Sequence, residues 1–414
     1  MSITGAMYTG VSGLLNNGEA MNVIGNNISN VNTVGFKYGR TIFSDMLSAN
    51  IGNDSQVGRG VQMQKVENVF TSTSFETTEN VTDLGIQGNS FFALKPPTTA
   101  SPVTAQNTAL LSRAGDFHVD QNLTMVNPDG YQVLDTQGNP IKFSDNAAAI
   151  AASATAYNAG ATVAPAVAAI TADIATAQAA VTAMPAGAAQ TAAQALVTAA
   201  TNANTAATNA NKAFAASPSA TTAQAANTAL ALSYAALQAA ASAAGGTSTA
   251  GSATAVNTDS TAYANVTTET GKAFAKVVKV EPNGLISYLG QDGITTMYYN
   301  TSGAVGIPTT PANALSVQKL AVVTATDVTG LEKTGGSLYK ATGSSGVSAA
   351  AFSLASNQPN GTSEKILSNS LEQSNVDMAS QFVKMITTQR AYSANSKTIT
   401  TADEMTQDIL NLKR

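Results

Sequence analysis

The chain has no cysteine, no tryptophan and one histidine, His118, in 414 residues. Without cysteine there is no disulfide framework, no thiolate metal site and no cysteine nucleophile. A single histidine leaves His-based metal clusters and Ser-His-Asp triads without their parts. Next to Phe117 in a strand-like stretch, His118 reads as an ordinary strand residue. Charge is scarce as well: 11% of residues carry it, against roughly 25% in an ordinary soluble domain. A surface this poor in charge reads as one covered by other copies or by a partner, and a low-complexity insert dilutes the charge further. The net charge of −5 and pI ≈ 5.0 give no basic face for nucleic acid. No run of about 18 apolar residues could cross a bilayer. The opening "MSITGAMYTGVSG" has neither the basic nor the apolar region of a Sec signal peptide. The chain is expected either to stay in the cytoplasm or to leave by a route that reads no cleaved signal.

What is present is 44% hydrophobic residues, enough for real cores, arranged in five zones. Residues 3–34 carry Met7, Val11, Leu14, Met21, Ile24, Ile28 and Val31 at helical spacing, with Gly35 as a stop. Residues 57–146 are rich in β-branched and aromatic types, with turn pairs at Asp129-Gly130 and Gly138-Asn139, which predicts a meander of hairpins. Residues 147–256 are Ala, Thr, Asn and Ser, with Asp173 and Lys212 as their charges and prolines at 165, 185 and 218. Alanine favours a packed helical bundle there, while Thr and Asn favour a disordered insert. Residues 262–364 return to strands, with a further turn at Asn283-Gly284. The last zone, 366–414, predicts a long helix from Val376. Its face holds Met378, Phe382, Met385, Tyr392, Ile399, Ala402, Met405, Ile409 and Leu412, nearly a heptad seam, with Ser374 and Asp377 as its capping start and Lys413-Arg414 favoured by the dipole at its far end. The fold class expected is multidomain α+β, helices at both ends, antiparallel strands inside them and an alanine-rich insert in the middle.

The two terminal stripes need partners. Pairing the terminal helices with each other hides one side of each, and glycines at 5, 10, 13, 18 and 25 expose backbone for close approach by neighbouring subunits. Four asparagines, Asn26, Asn27, Asn30 and Asn32, interrupt the first stripe in "VIGNNISNVNTVGFK". They read either as a register device within a packed interface or as a solvated face near a frayed helix end. Alone, such a helix is marginal and is expected to order on assembly.

"NVIGNNISNVNTVGFKYGR" resembles the N-terminal signature of the bacterial flagellar rod and hook proteins, and "SNVDMASQFVKMITTQRAYSANSKTITTADEMTQDILNLKR" is similar to their C-terminal signature. "LGIQGNSFFAL" and "SRAGDFHVDQNLTMVNPDGYQVL" resemble the family's strand-rich segments after the first helix, and "GLISYLGQDG" and "LEKTGGSLYKATGSSG" the segment before its C-terminal helix, so the likeness covers most of the chain outside about 147–262. It implies subunits that leave through the type III export channel and self-assemble into a homopolymer, a hollow helical tube. It also implies contacts with the flagellar rod, hook cap, hook–filament junction proteins and export apparatus. Terminal helices (1–50 with 366–414) would form an inner coiled-coil core, strands (51–146 with 262–365) a middle domain, and the insert (147–261) an outer domain. The assembly core carried over comprises Met7, Val11, Leu14, Met21, Ile24, Ile28 and Val31 of the first stripe, Phe382, Met385, Tyr392, Ile399, Met405, Ile409 and Leu412 of the last, together with Asn26, Asn27, Asn30, Gly35, Phe36, Val376, Gln389 and Arg390. Length and the ending "ITTADEMTQDILNLKR" fit the hook branch better than the rod branch, with a distal rod subunit as the alternative. The alanine-rich insert departs from the strand-rich outer domain usual in the hook branch.

No P-loop fingerprint appears, and adjacent carboxylates such as Asp403-Glu404 do not face each other on a helix. No enzyme, metal or cofactor is expected. The competing class is a secreted strand-rich adhesin or surface enzyme, which would have no need to bracket its strands with two apolar helices.

Overall fold

Strand formers between glycine turns and long alanine runs sort the chain into two compact units. The computed structural model describes residues 3–47, 49–52, 55–99, 101–147, 149–150, 165–245, 250–299, 319–352 and 358–412. One unit comprises Met1–Ile141, Lys279–Ile286 and Gln318–Arg414, and the other Lys142–Val278 and Ser287–Val317. The dipole-facing pair expected at 413–414 lies outside the described residues.

The chain opens with α1 (Ile3–Ser29), then a ribbon in which β1 (Gly39–Asp45) pairs with β4 (Val61–Asn68) around the hairpin β2 (Ala49–Gly52) and β3 (Ser55–Val57). Short strands follow: β5 (Phe75–Thr77), β6 (Leu84–Gln87), β7 (Ser90–Lys95), β8 (Leu110–Ser112), β9 (His118–Val119), β10 (Met125–Val126) and β11 (Gln132–Val133). The insert then gives α2 (Pro165–Thr182), α3 (Ala188–Ala216), α4 (Ala220–Ala243) and α5 (Ala250–Gly271). β12 (Phe274–Val280), β13 (Ile286–Gly290) and β14 (Thr296–Tyr298) form a three-stranded sheet. The chain closes with β15 (Val322–Thr324), β16 (Glu332–Gly335), β17 (Leu338–Lys340), β18 (Lys365–Ser368), β19 (Ser370–Glu372) and α6 (Met378–Leu412).

In the first unit, the main sheet runs β16-β17-β8-β7-β11-β10-β9, with β15 also on β7. Segments on either side of the insert thus interleave, and β18 pairs with β6 and β19 with β5. Phe91 and Tyr339 are fully buried, and Phe70 meets them edge-on at centroid distances of 5.3 and 5.1 Å. The turns expected at Gly130, Gly138 and Gly284 all have positive φ (83°, 77° and 80°), the conformation glycine adopts without strain. His118 is exposed in β9, opposite Val126.

Three expectations shift. α1 ends at Ser29, earlier than Gly35, and passes into turns in which Asn30 N–H bonds Asn26 O (3.2 Å) and Val31 N–H bonds Ile28 O (3.3 Å). α6 is capped by Asp377, whose Oδ1 accepts from Ala379 N–H (3.1 Å), while Ser374 sits one turn earlier. α5 runs to Gly271, so strands resume at Phe274 and not near 262. No helix among the described residues is long and apolar enough to cross a membrane.

In the second unit, the described part of the insert is helical, and its prolines punctuate it. Pro165 opens α2, α2 ends before Pro185, and α3 ends before Pro218, after which Ser219 and Thr222 form a capping box for α4. Ala200, Ala223 and Ala240 are fully buried beside Ile170, Val197, Phe214 and Leu237. An alanine core is smooth and says little about register, so polar pins supply it. Asn204 Nδ2 donates to Thr171 Oγ1 (2.7 Å), and its Oδ1 accepts from Ser233 Oγ (3.2 Å), joining α2, α3 and α4. Asp259 on α5 accepts from Ala166 N–H at the start of α2 (3.2 Å). Thr198, Thr201, Thr205, Thr208 and Thr228 each donate to the carbonyl four residues back at 2.9–3.0 Å. Threonine thus satisfies its hydroxyl without leaving the helix.

Asn204→Ala is expected to cost about 1–3 kcal/mol, because it strips the fully buried Ser233 hydroxyl of its acceptor. Urea unfolding followed by helical circular dichroism checks this, and a midpoint equal to wild type would remove the pin from the account.

Candidate functional site

The helices α1 and α6 lie antiparallel in the first unit. On α1 the inward positions are Gly10, Gly13, Asn17, Ala20, Ile24 and Asn27, and on α6 Gln381, Met385, Thr388, Asn395, Ile399 and Ala402, each set buried or half-buried and spaced by threes, fours and sevens. Glycine lets the backbones approach: a Cβ on Gly10 would stand 2.9 Å from Ile399 Cγ1, and one on Gly13 2.5 Å from Asn395 Nδ2. A Cβ on Gly5 or Gly25 would meet nothing within 4 Å. The five glycines therefore divide. Gly10 and Gly13 serve the helix pair, Gly18 only grazes Tyr392 at 4.0 Å, and Gly5 and Gly25 look outward.

The asparagines divide too. Asn27 is 1% exposed, and its amide bonds both the carbonyl (2.8 Å) and the N–H (2.9 Å) of Gly39, with Gln381 Oε1 at 3.3 Å. One side chain thereby registers α1, the ribbon and α6. Asn30 is half-buried with its Nδ2 on the Asn26 carbonyl, whereas Asn26 and Asn32 are exposed.

Where α1 and α6 leave the strands, three charges are buried together. Lys37 Nζ lies 2.7 Å from Glu372 Oε1, and Arg113 Nη1 lies 3.5 Å from Glu372 Oε2, with side-chain exposures of 1%, 0% and 4%. Lys37 also donates to Thr71 O (2.9 Å), and Arg113 to Gly88 O (2.7 Å) and Ile86 O (3.3 Å). Burial pulls the Lys37 ammonium below its ordinary pKa against the opposing pull of Glu372, and pushes the neighbouring Tyr339 phenol up. Gly35 has φ 65°, donates its N–H to Glu372 O (2.8 Å), and packs where any Cβ would strike the Arg113–Ala114 backbone. Phe36 is buried beneath Lys333, whose Nζ is 3.8 Å from the ring centroid. Asn375 accepts from Tyr38 N–H (2.8 Å) and donates to Val69 O (2.6 Å). The Gly-Phe-Lys triplet and the Ser-Asn-Val-Asp stretch are thus two halves of one junction.

The residues carried over as an assembly core are placed unevenly. Ile24, Asn27, Gly35, Phe36 and Val376 are buried. Met7, Leu14, Met21, Ile28, Asn30, Val31, Met385 and Ile399 are half-buried. Val11, Asn26, Phe382, Gln389, Arg390, Tyr392, Met405 and Ile409 are exposed, and the Leu412 side chain lies outside the described residues. Lys37, Arg113, Glu372, Asn375 and Gln381 were not among them. All five stand inside or beside the motifs that the sequence displays, but a charge network between residues 335 apart leaves no periodic trace.

Glu372→Gln leaves two buried cations without their counter-charge and is expected to cost about 3–5 kcal/mol. Lys37→Met should cost less, since Arg113 still faces Glu372. Denaturant midpoints of the two variants test the ranking, and equal losses would contradict it.

Two family models match: "Flagella basal body rod protein" over residues 7–37, and "Flagellar basal body rod FlgEFG protein C-terminal" over 367–412. A flagellar hook protein FlgE of Borreliella burgdorferi is 36% identical over 33% of this chain and 33% of its own. A flagellar basal-body rod protein FlgG of Bacillus subtilis is 25% identical over 99% of each chain. A hook protein FlgE of Treponema pallidum is 38% identical over 30% of this chain and 27% of its own. The alignments thus span about a third of these hook relatives and nearly all of the rod relative. The matched segments, 7–37 and 367–412, are the ones that build the helix pair and its junction, and over them the chain is similar to the flagellar rod and hook proteins.

Proposed function

We propose that the protein is a structural subunit of the flagellar hook, polymerising into a hollow, flexible tube that joins rod to filament and transmits torque as a universal joint. The observation that carries this is the second apolar face left on each terminal helix. Tyr8, Val11 and Leu15 on α1 are 75%, 40% and 62% exposed, and Phe382, Val383 and Ile386 on α6 are 46%, 62% and 51% exposed. Met405, Ile409 and Leu410 continue the pattern at 51%, 53% and 63%. Contiguous exposed apolar surface of this kind marks an association site. Sister copies are the natural occupants, because heterologous, non-closing contacts of one subunit type generate a helical tube.

In this reading α1 and α6 form a coiled-coil core, the strands a middle shell and the alanine-rich bundle an outer domain. The subunit resides in the basal body and hook region after type III export, next to the rod, the hook cap and the hook–filament junction. Residues 1–50 with 366–414 are the assembly domain, and the predicted core residues from Met7 to Leu412 are its contacts. A distal rod subunit is the second reading, favoured by the full-length match to a rod protein.

Electron microscopy of the purified protein under polymerising conditions separates the two readings. Curved tubes support a hook subunit, straight tubes a rod subunit, and the absence of tubes at any concentration would sink both. Gly25→Leu is expected to leave the monomer's circular dichroism unchanged while blocking tube growth, since only a neighbouring copy would meet the added side chain.

A further inference from the structure

Sulfur enters this chain only as thioether, in 11 methionines and no cysteine. There is accordingly no thiol to take up an oxidant first. The methionines differ sharply in access to water. Met125 and Met297 have no solvent exposure, and Met7, Met21 and Met385 on the terminal helices are half-buried. Among the described residues three are exposed: Met46 just past β1 at 37%, and Met378 and Met405 on α6 at 43% and 51%.

The two on α6 mark the ends of its outward apolar face. Met378 stands four residues before Phe382, and Met405 four before Ile409, so each shares a helix face with an exposed apolar neighbour. Phe382, Val383, Ile386, Ile409 and Leu410 on the same helix are hydrocarbon. The thioethers are therefore the points at which a mild oxidant can change the polarity of this face.

We propose that Met378 and Met405 form a hydroperoxide-sensitive switch on the free subunit. The sulfur lone pair attacks one peroxide oxygen and the O–O bond breaks. The attacked oxygen stays on sulfur as the sulfoxide, and its proton passes to the departing oxygen, which leaves as water. Sulfur gives up two electrons and the peroxide takes them. A flexible apolar side chain thereby becomes a polar, chiral one. Against the apolar flank of a sister copy, the sulfoxide is a polar group taken out of water with no donor to receive it. Both methionines stand outside the seam with α1, so the helix pair itself is untouched. The inference rests on the reading of this face as an assembly surface and adds its regulation: an oxidised subunit is refused, and an assembled one is shielded.

Hydrogen peroxide treatment of the purified protein tests this, with sulfoxides located by peptide mass mapping and tubes followed by electron microscopy. In the free subunit Met378 and Met405 are expected to oxidise roughly tenfold faster than Met125 and Met297, and in assembled tubes to be protected. Oxidised subunits should form roughly tenfold less tube than untreated ones, with unchanged circular dichroism, and methionine sulfoxide reductase should restore growth. Each variant is compared with its own untreated sample. Met46→Leu should lose growth on treatment as wild type does, whereas Met378→Leu combined with Met405→Leu should grow equally before and after. Full growth from subunits carrying both sulfoxides, equal oxidation in tubes and free subunits, or a loss that persists in the double variant overturns the inference and leaves the assembly reading standing. If the double variant grows no tubes, the reductase decides, and its failure to restore wild-type growth overturns the inference. No tubes from untreated wild type overturn both.

Discussion

The structure depends on where Glu372 can keep its charge. A carboxylate without solvent exposure needs cations and donors held in place, and here they come from Lys37 and Arg113. Those two reach it from just after α1 and just after β8, while Glu372 itself ends β19, six residues before α6 begins. The backbone repeats the bond, with Gly35 N–H on the Glu372 carbonyl. Both terminal helices are therefore seated on the strand-rich core through one desolvated ionic cluster, and neither can rotate without exposing or stranding a charge. A surface pair such as Arg40 with Glu67 at 2.6 Å stays partly in water and imposes no such condition.

The ionic seat leaves the helices rigid at their roots and two-sided along their length. One side of each is filled by the other through glycine and asparagine, which permit close approach and fix register. The opposite side keeps its tyrosine, leucine, phenylalanine and isoleucine in solvent. A chain that only needed to fold would have little reason to retain that second side.

Much of this was legible in the residues. The helical spacing from Met7 to Ile28 and from Met378 to Ile409, the positive-φ glycines at hairpin turns, and the prolines dividing the insert all mark their elements through local physics. Helix ends were read less well. Gly35 looked like a stop because glycine tolerates a left-handed backbone, and it has that backbone, but for contact with Ala114. The helix has already ended at Ser29. The buried cluster was invisible because Lys37, Arg113 and Glu372 meet only after the strands have paired across the insert. For the four asparagines, sequence offered register device or solvated face as one choice, whereas burial assigns Asn27 to the first and Asn26 and Asn32 to the second.

Thr198, Thr205 and Thr228 turn their hydroxyls back to their own helix and leave their methyls to water, beside the exposed uncharged amides of Asn202, Asn209 and Gln224 and few ionic side chains. Counter-ions have almost nothing there to screen. The hydration of that face should hardly change between brackish and fresh water, a kind of osmotic indifference that composition alone, read as polar, would not suggest.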